Sequence, residues 1–139
     1  MGAILQIEHS PSLLSARRSI LEPLGYDVIS VLGFSDAFDS SLLRQPIAAI
    51  VIGHRAPRAD RLKLILHFHT NLPGVPIVAL LGRLDLVFTE ADYNCPGDDP
   101  PLWVRTVAQA LLAGQKHPPE RLTDGRFGGC GRKNSLHRV

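Results

Sequence analysis

The sequence predicts an α/β fold in which helices alternate with the strands of a parallel β-sheet. Short apolar runs rich in β-branched residues stop at glycine or at an acidic residue, which is typical of buried strands. Runs with helical periodicity lie between them. Strands that alternate with helices favour βα units and therefore a parallel sheet.

The first strand and helix follow directly from the N-terminus. Residues 3–7, which are apolar except for Gln6, are a strand candidate that ends at Glu8 and His9. Ser10 followed by Pro11 predicts the start of a helix, because serine caps helices well and proline fits their first turn. Its apolar residues repeat at helical spacing until Gly25, which predicts the end of the helix.

Three more elements are predicted in the middle of the chain. Residues 26–31 are predicted to form the second strand, and Ser35 to cap a helix that runs to about Leu43. Residues 48–52 form the third strand candidate, which stops at Gly53. A further helix is predicted to be capped by Asp60.

The last elements complete a five-stranded sheet. Residues 76–81 predict a fourth buried strand and residues 92–95 a short fifth strand, and Asp98-Asp99-Pro100-Pro101 is predicted to start a last helix. Five strands in about 114 residues fit a doubly wound, flavodoxin-like sheet of order 2-1-3-4-5. Ligands bind such sheets outside the carboxyl ends of the strands, so Gly53 lies where chemistry is expected.

Composition and charge suggest one folded domain and a separate tail. The 139 residues suit one domain, and no apolar run approaches the ~20 residues of a membrane span. Six basic against two acidic residues from Gly114 onward give this segment a net charge of +4, which leaves −2 for the rest. We therefore predict a domain at 1–114 and a disordered basic tail at 115–139.

The N-terminus and the cysteines indicate the compartment. The N-terminus lacks the basic region of a signal peptide, and Cys95 and Cys130 are too few for a disulfide framework. We expect a soluble cytoplasmic protein that has no contact with membranes.

The order of these features resembles the receiver domain of two-component response regulators, the CheY-like family, over about residues 3–113. In that family the first strand ends in acidic residues, a proline-containing helix start follows, and a glycine–aromatic pair precedes the second strand. A proline lies four residues after the phosphate-accepting aspartate of the third strand, and an Asp-Gly pair follows soon after. A hydroxyl residue ends the fourth strand, and Asp-Tyr and then Lys-Pro lie near the fifth. The corresponding residues here are Glu8-His9-Ser10-Pro11, Gly25-Tyr26, Gly53 with Pro57 and Asp60, Leu81-Gly82, Asp92-Tyr93 and Cys95-Pro96.

The departures from the family pattern predict a degenerate phosphorylation pocket. The resemblance puts Gly53 at the acceptor position, His9 at a metal-binding acid, Leu81 at the hydroxyl and Cys95 at the lysine, so that Glu8 alone retains its role. Glycine cannot form a phosphoaspartate, and histidine is a poor ligand for Mg²⁺. We therefore expect a pseudo-receiver that is not phosphorylated on aspartate, is not an enzyme and needs no cofactor.

A second departure is the short connection before the fifth strand. Thirteen residues separate Leu81 from Cys95, so the family's fourth helix is predicted to be shortened or missing. In receivers this region usually dimerises or docks on partners. The apolar side chains there either cover the core or form an interaction face, whose candidates are Leu84, Leu86, Val87, Phe88, Tyr93 and Trp103. Core packing is the default expectation for Trp103, and also for Cys95 as a small buried hydrophobe.

The resemblance implies that the module acts by protein–protein interaction. The expected partners are a histidine kinase, another regulator or a second copy in a homodimer. One alternative is a ligand- or metal-sensing domain, because Glu8, His9 and His54 are expected at the carboxyl edge and imidazole suits transition metals. A Glu8–histidine pair could instead act as a pH-sensitive latch. A further alternative is a nucleic-acid-associated protein acting through its basic tail, against which the mildly acidic body argues.

Overall fold

Five parallel strands form one sheet in the order β2-β1-β3-β4-β5. The structure is a computed structural model that describes residues 2–116. The strands are β1 (Ala3–Glu8), β2 (Val28–Leu32), β3 (Ile47–Ile52), β4 (Ile77–Leu81) and β5 (Tyr93–Pro96). The predicted α/β class and flavodoxin-like strand order are therefore confirmed.

Helices cover both faces of the sheet and divide the core into two parts. Three α-helices lie within the described residues: α1 (Pro11–Leu21), α2 (Arg58–Asn71) and α3 (Pro100–Lys116). Residues of α2 pack with one set of strand side chains, including Ile50 and Ile52. Residues of α1 and α3 pack with the alternate set, including Val51. The period-two alternation of β3 thus supplies both halves of the core.

The predicted start of α1 and the predicted stop at Gly25 are confirmed, although the last turn is a 3₁₀ turn. The Ser10 hydroxyl accepts a hydrogen bond from the backbone N–H of Leu13 at 3.4 Å, and Pro11 occupies the first turn. A single 3₁₀ turn, Glu22–Leu24, follows the α-helix. Gly25 then ends the helical segment with φ of 95°, a left-handed conformation that suits glycine.

The helix predicted from Ser35 to about Leu43 is wrong in kind. The segment forms two 3₁₀ turns, Ser35–Phe38 and Ser40–Arg44, separated by Asp39. Asp39 has extended backbone angles, and its carboxylate accepts a hydrogen bond from the Ser41 backbone N–H at 2.9 Å. This local cap offers the backbone an alternative to a continuous helix.

The connection from β4 to β5 contains no helix. This confirms the prediction that the fourth helix of the family is shortened or missing here. We call residues 82–92 the β4–β5 loop.

Of the two predicted helix starts, that of α3 is confirmed and that of α2 is wrong. Asp99 accepts a hydrogen bond from Leu102 N–H at the start of α3, as expected, but α2 begins at Arg58 with Pro57 as its cap, so that Asp60 lies inside the first turn.

The last helix passes the predicted domain boundary at 114. It continues through Lys116, and the rest of the predicted tail lies outside the described residues. Within residues 2–116, every helix is too short or too polar to cross a bilayer.

Candidate functional site at the carboxyl edge of the sheet

The carboxyl ends of four neighbouring strands meet at one edge of the sheet. Glu8 is the last residue of β1, and Gly53, Gly82 and Gly97 directly follow β3, β4 and β5. Backbone hydrogen bonds hold these ends together: Gly53 N–H donates to Ile7 O at 2.8 Å, and Gly97 N–H donates to Leu81 O at 2.9 Å. At three of the four strand ends, the first residue after the strand therefore has no side chain.

A buried ion pair occupies this edge. Arg17 Nη1, from α1, donates to Glu8 Oε1 at 2.5 Å, and the two side chains are 4% and 1% exposed. Glu8 Oε2 also accepts the backbone N–H groups of His9 at 2.7 Å and Ser10 at 3.3 Å. Burial of a charge is costly unless it is paired and hydrogen-bonded, and Glu8 meets both conditions.

The ion pair fills the space beside Gly53. A Cβ atom built on Gly53 would overlap Glu8 Oε1 and lie 2.5 Å from Glu8 Cδ and 3.0 Å from Arg17 Nη1. Any side chain at this position therefore requires Glu8 and Arg17 to move. Glycine is needed here for close approach rather than for an unusual backbone angle.

His54 extends the pair into a three-residue network. Arg17 Nη2 lies 3.2 Å from His54 Nδ1. The imidazole packs against Gly97, where a Cβ atom would lie 2.6 Å from Nδ1. Burial, and then the positive charge of Arg17, lowers the pKa of His54 from its usual 6.5. The lowered pKa favours the neutral imidazole, whose Nδ1 can accept a hydrogen bond from Arg17.

A second ion pair lies beside the first and fixes the β4–β5 loop. The Arg61 guanidinium binds Asp85 in a bidentate manner, with distances of 2.7 Å and 3.0 Å. Asp85 Oδ2 also accepts the Gly82 backbone N–H at 2.6 Å. The Arg61 hydrogen bonds, followed by that of Gly82, lower the pKa of Asp85 to about 2 against the opposing effect of burial.

The rest of the β4–β5 loop is anchored by its backbone. Arg58 donates to the carbonyl oxygens of Leu86 at 2.7 Å and Val87 at 2.9 Å, and its guanidinium lies 4.0 Å from the centre of the Phe88 ring. The Asn94 side chain bonds both the N–H and the C=O of Phe88, at 2.7 Å and 3.0 Å. The loop therefore has a defined conformation although it contains no helix.

The six candidates for an interaction face divide into one exposed segment and three buried residues. Leu84 is 98% and Leu86 77% exposed, and Val87 is exposed beside them. Phe88 is buried beneath Arg58, and Tyr93 and Trp103 are buried in the core between the sheet and α3. We call Leu84, Leu86 and Val87 the apolar patch.

The predicted pocket residues do not all meet. Glu8 and Gly53 are adjacent, and His9 follows Glu8 with a half-buried side chain. Leu81, however, packs toward the α2 side of the sheet, whereas Cys95 belongs to the core between the sheet and α3. Cys95 is fully buried and accepts a hydrogen bond from Thr106 Oγ1 at 3.5 Å, which confirms its expected packing role.

The candidate metal ligands are separated by a cation. Arg17 contacts both Glu8 and His54, and its positive charge opposes binding of a metal ion between them. No group of three acidic, histidine or cysteine side chains within the described chain could hold a metal ion. Burial and then Arg17 lower the pKa of His54 against the opposing effect of Glu8, which argues against a pH latch at this residue.

Sequence reasoning missed Arg17, Arg61 and Asp85 as parts of the site. The available signal was position: Arg61 shares a helix face with Leu64, Ile65 and Phe68, and Arg17 lies on the apolar stripe of α1. An arginine on such a face predicts a buried partner.

Comparison with known proteins identifies the fold. No protein-family model matches the chain, and no curated protein matches it. Among solved structures, the response regulator receiver domain protein (CheY-like) from Methanospirillum hungatei JF-1 matches with a TM-score of 0.73 and 19% identity, over 84% of this chain and 98% of that one. The chemotaxis response regulator CheY4 of Vibrio cholerae matches with a TM-score of 0.66 and 15% identity, over 79% and 98% of the two chains.

A third match comes from a complex. A chain from the crystal structure of the histidine kinase ThkA with the response regulator protein TrrA matches with a TM-score of 0.67 and 16% identity, over 80% of this chain and 99% of that one. The chain therefore has the CheY-like receiver fold.

Proposed function

We propose that this CheY-like fold is a receiver-like module of two-component signalling that is not phosphorylated on aspartate, catalyses no reaction and acts by binding other proteins. The observation that carries the proposal is the buried Glu8–Arg17 pair, which fills the space where a side chain at position 53 would stand. In the frame of the receiver fold, that space belongs to the acceptor aspartate.

The charge of the site also argues against phosphotransfer. Receivers use acidic side chains to bind Mg²⁺ beside the acceptor, and Mg²⁺ prefers oxygen ligands. Here one carboxylate remains at the strand ends, and its two oxygens are engaged by Arg17 and by backbone N–H groups. The guanidinium repels a divalent cation, and Gly53 supplies no nucleophile.

The apolar patch is the surface through which binding is proposed. Leu84 and Leu86 project from a loop that hydrogen bonds from Arg58 and Arg61 connect to α2. Contiguous exposed apolar side chains are typical of interaction sites. Partners of the expected kind are a histidine kinase, another regulator or a second copy, since a receiver-fold relative is known in complex with a kinase.

Treatment with acetyl phosphate and with beryllofluoride, each with Mg²⁺, tests the first half of the proposal. We expect no mass gain by intact-protein mass spectrometry and no shift of the Gly53 or Gly82 amide resonances. A phosphorylatable receiver, treated in parallel, controls for reagent activity. A stable phosphoryl adduct on any aspartate would refute the proposal.

Loss of the apolar patch tests the second half. We compare the full chain with a Leu84→Ser, Leu86→Ser double variant for binding to purified histidine kinases, other regulators and itself. Leu24→Ser is the matched control, because Leu24 is also an exposed leucine but lies outside the loop. Binding that is lost in the patch variant and kept in the control supports the proposal. Equal binding by all three chains contradicts it.

A further inference from the structure

An apolar groove lies at the amino edge of the sheet, opposite the site described above. Its larger part is a cavity of about 510 Å³, lined by Tyr26, Asp27, Ala48, Leu111 and Leu112 among others. A second cavity of about 350 Å³ shares Ala48 and Leu111 and continues toward Gly114. Because the two cavities share walls, we treat them as one surface, the amino-edge groove.

Small residues and one acid give the groove its character. Gly2 and Ala48 form part of the floor, and a Cβ atom on Gly2 would lie 2.7 Å from Ala48 N, so there is no room for larger side chains. Leu112 is 57% exposed, and Asp27 is exposed at the rim. The groove therefore suits an apolar or aromatic group that carries a positive charge beside it.

The last described helix ends beside this groove. Gly114 lines it, α3 ends two residues later at Lys116, and residues 117–139 follow. That segment contains a single aromatic residue, Phe127, directly preceded by Arg126. Phe127 lies eleven positions after Lys116, and an extended chain of that length spans about 36 Å, comparable with the diameter of a domain of this size.

We propose that Arg126 and Phe127 dock in the amino-edge groove of the same chain. The Phe127 ring would cover Leu111 and Leu112, and the Arg126 guanidinium would lie near the Asp27 carboxylate. Gly125, Gly128 and Gly129 flank the pair and permit close approach of its backbone. Tethering gives the pair a high effective concentration at the groove, so a small contact suffices. This inference goes beyond the proposed function and does not depend on it.

A spin label on Cys130 tests this docking in the full chain. Cys130 lies three residues after Phe127, and the other cysteine, Cys95, is fully buried and is protected from the reagent. We expect paramagnetic broadening of the Gly25 and Leu111 amides and none of the Gly53 and Gly82 amides at the opposite edge.

Three controls separate docking from tethering alone. In Phe127→Ser the broadening at the groove should fall to the level of a free tether, and Asp27→Asn should lower it in part. Leu122→Ser should leave it unchanged, because Leu122 takes no part in the proposed contact. Equal broadening in wild type and Phe127→Ser would overturn the proposal. So would broadening of an isotope-labelled, spin-free copy by a spin-labelled one, since the occupant would then be the segment of a second molecule.

Discussion

Arg17 lies on the apolar stripe of α1, four residues before Leu21 and on the same helix face. A cation in that position is stable only with a buried partner, and Glu8 at the end of β1 supplies it. Gly53 makes room for the pair, because a side chain there would overlap Glu8. The three residues therefore depend on one another, and each can be tested alone.

Arg17→Met should destabilise the fold by about 3–5 kcal/mol at pH 7, because Glu8 is left as an unpaired buried charge. Urea unfolding measures the change. Arg18→Met is the matched control: its partner is Glu22, both side chains are about half exposed, and the expected change is within about 0.5 kcal/mol. Similar losses in the two variants would show that the Glu8–Arg17 pair has no special role.

Gly53→Asp should cost roughly 2–4 kcal/mol, because the new side chain collides with Glu8 and brings a second carboxylate beside it. Gly114→Ala is the control, since its Cβ atom would make ordinary contact with Pro76 at 3.4 Å. In a Gly53→Asp, Glu8→Ala double variant the new aspartate can pair with Arg17, so part of the loss should be recovered. Strict additivity of the two changes would contradict this account.

The β4–β5 loop shows how an element can be ordered without regular secondary structure. Its backbone carbonyls accept hydrogen bonds from Arg58, its Asp85 binds Arg61, and its Phe88 is clamped by Asn94. The partners of these bonds lie on α2 and β5, so the loop is attached to two regular elements of the fold. The exposed Leu84 and Leu86 lie in the part of the loop that these hydrogen bonds attach to α2.

Asp85 should contribute acid sensitivity to this element. Its pKa in the folded state is about 2, below its usual 3.8, so its stabilisation is present above about pH 4 and is lost as the pH falls through 2. The side chain is 18% exposed, so screening reduces the effect to about 1–2 kcal/mol. Unfolding measured from pH 2 to 7 should show a flatter acid limb in Asp85→Asn. Asp36→Asn, in an exposed 3₁₀ turn, should keep the wild-type profile.

In the whole molecule, one sheet separates two sites of different character. The carboxyl edge is filled by paired charges, and the amino edge carries an apolar groove beside the point where the chain leaves α3. Among residues 2–116, Ala110 is the last fully buried member of the core, and Leu111 packs against it. We therefore expect this core to form without residues 117–139.

A chain that ends after Lys116 should unfold cooperatively, with a free energy of unfolding within about 1 kcal/mol of the full chain. The denaturant dependence should also be nearly unchanged, because it scales with the surface exposed on unfolding. A chain that ends after Val107 loses Ala110 and the last turns of α3 and should not fold stably. A large loss of stability in the chain that ends after Lys116 would mean that residues 117–139 contribute to the core.

Much of this architecture follows from local patterns in the chain. The positions of the strands, the cap at Ser10, the stop at Gly25 and the missing fourth helix were all predicted, since they depend on periodicity and on the conformational preferences of single residues. The segment after Ser35 was predicted wrongly because the Asp39 side chain caps a new turn. Its composition alone does not distinguish an α-helix from two 3₁₀ turns.

The content of the site follows from packing between distant residues. Glu8 meets Arg17 across nine positions of sequence, and Arg61 meets Asp85 across twenty-four. The helical periodicity of the sequence indicates that both arginines lie on apolar helix faces. It does not predict which acidic residues pair with them. Phe88 and Leu86 also differ in exposure: Phe88 is buried and Leu86 is exposed, although both are apolar residues of the same loop. Local sequence thus specifies elements because their causes are local, whereas the pairing of charges and the exposure of leucines depend on how those elements pack.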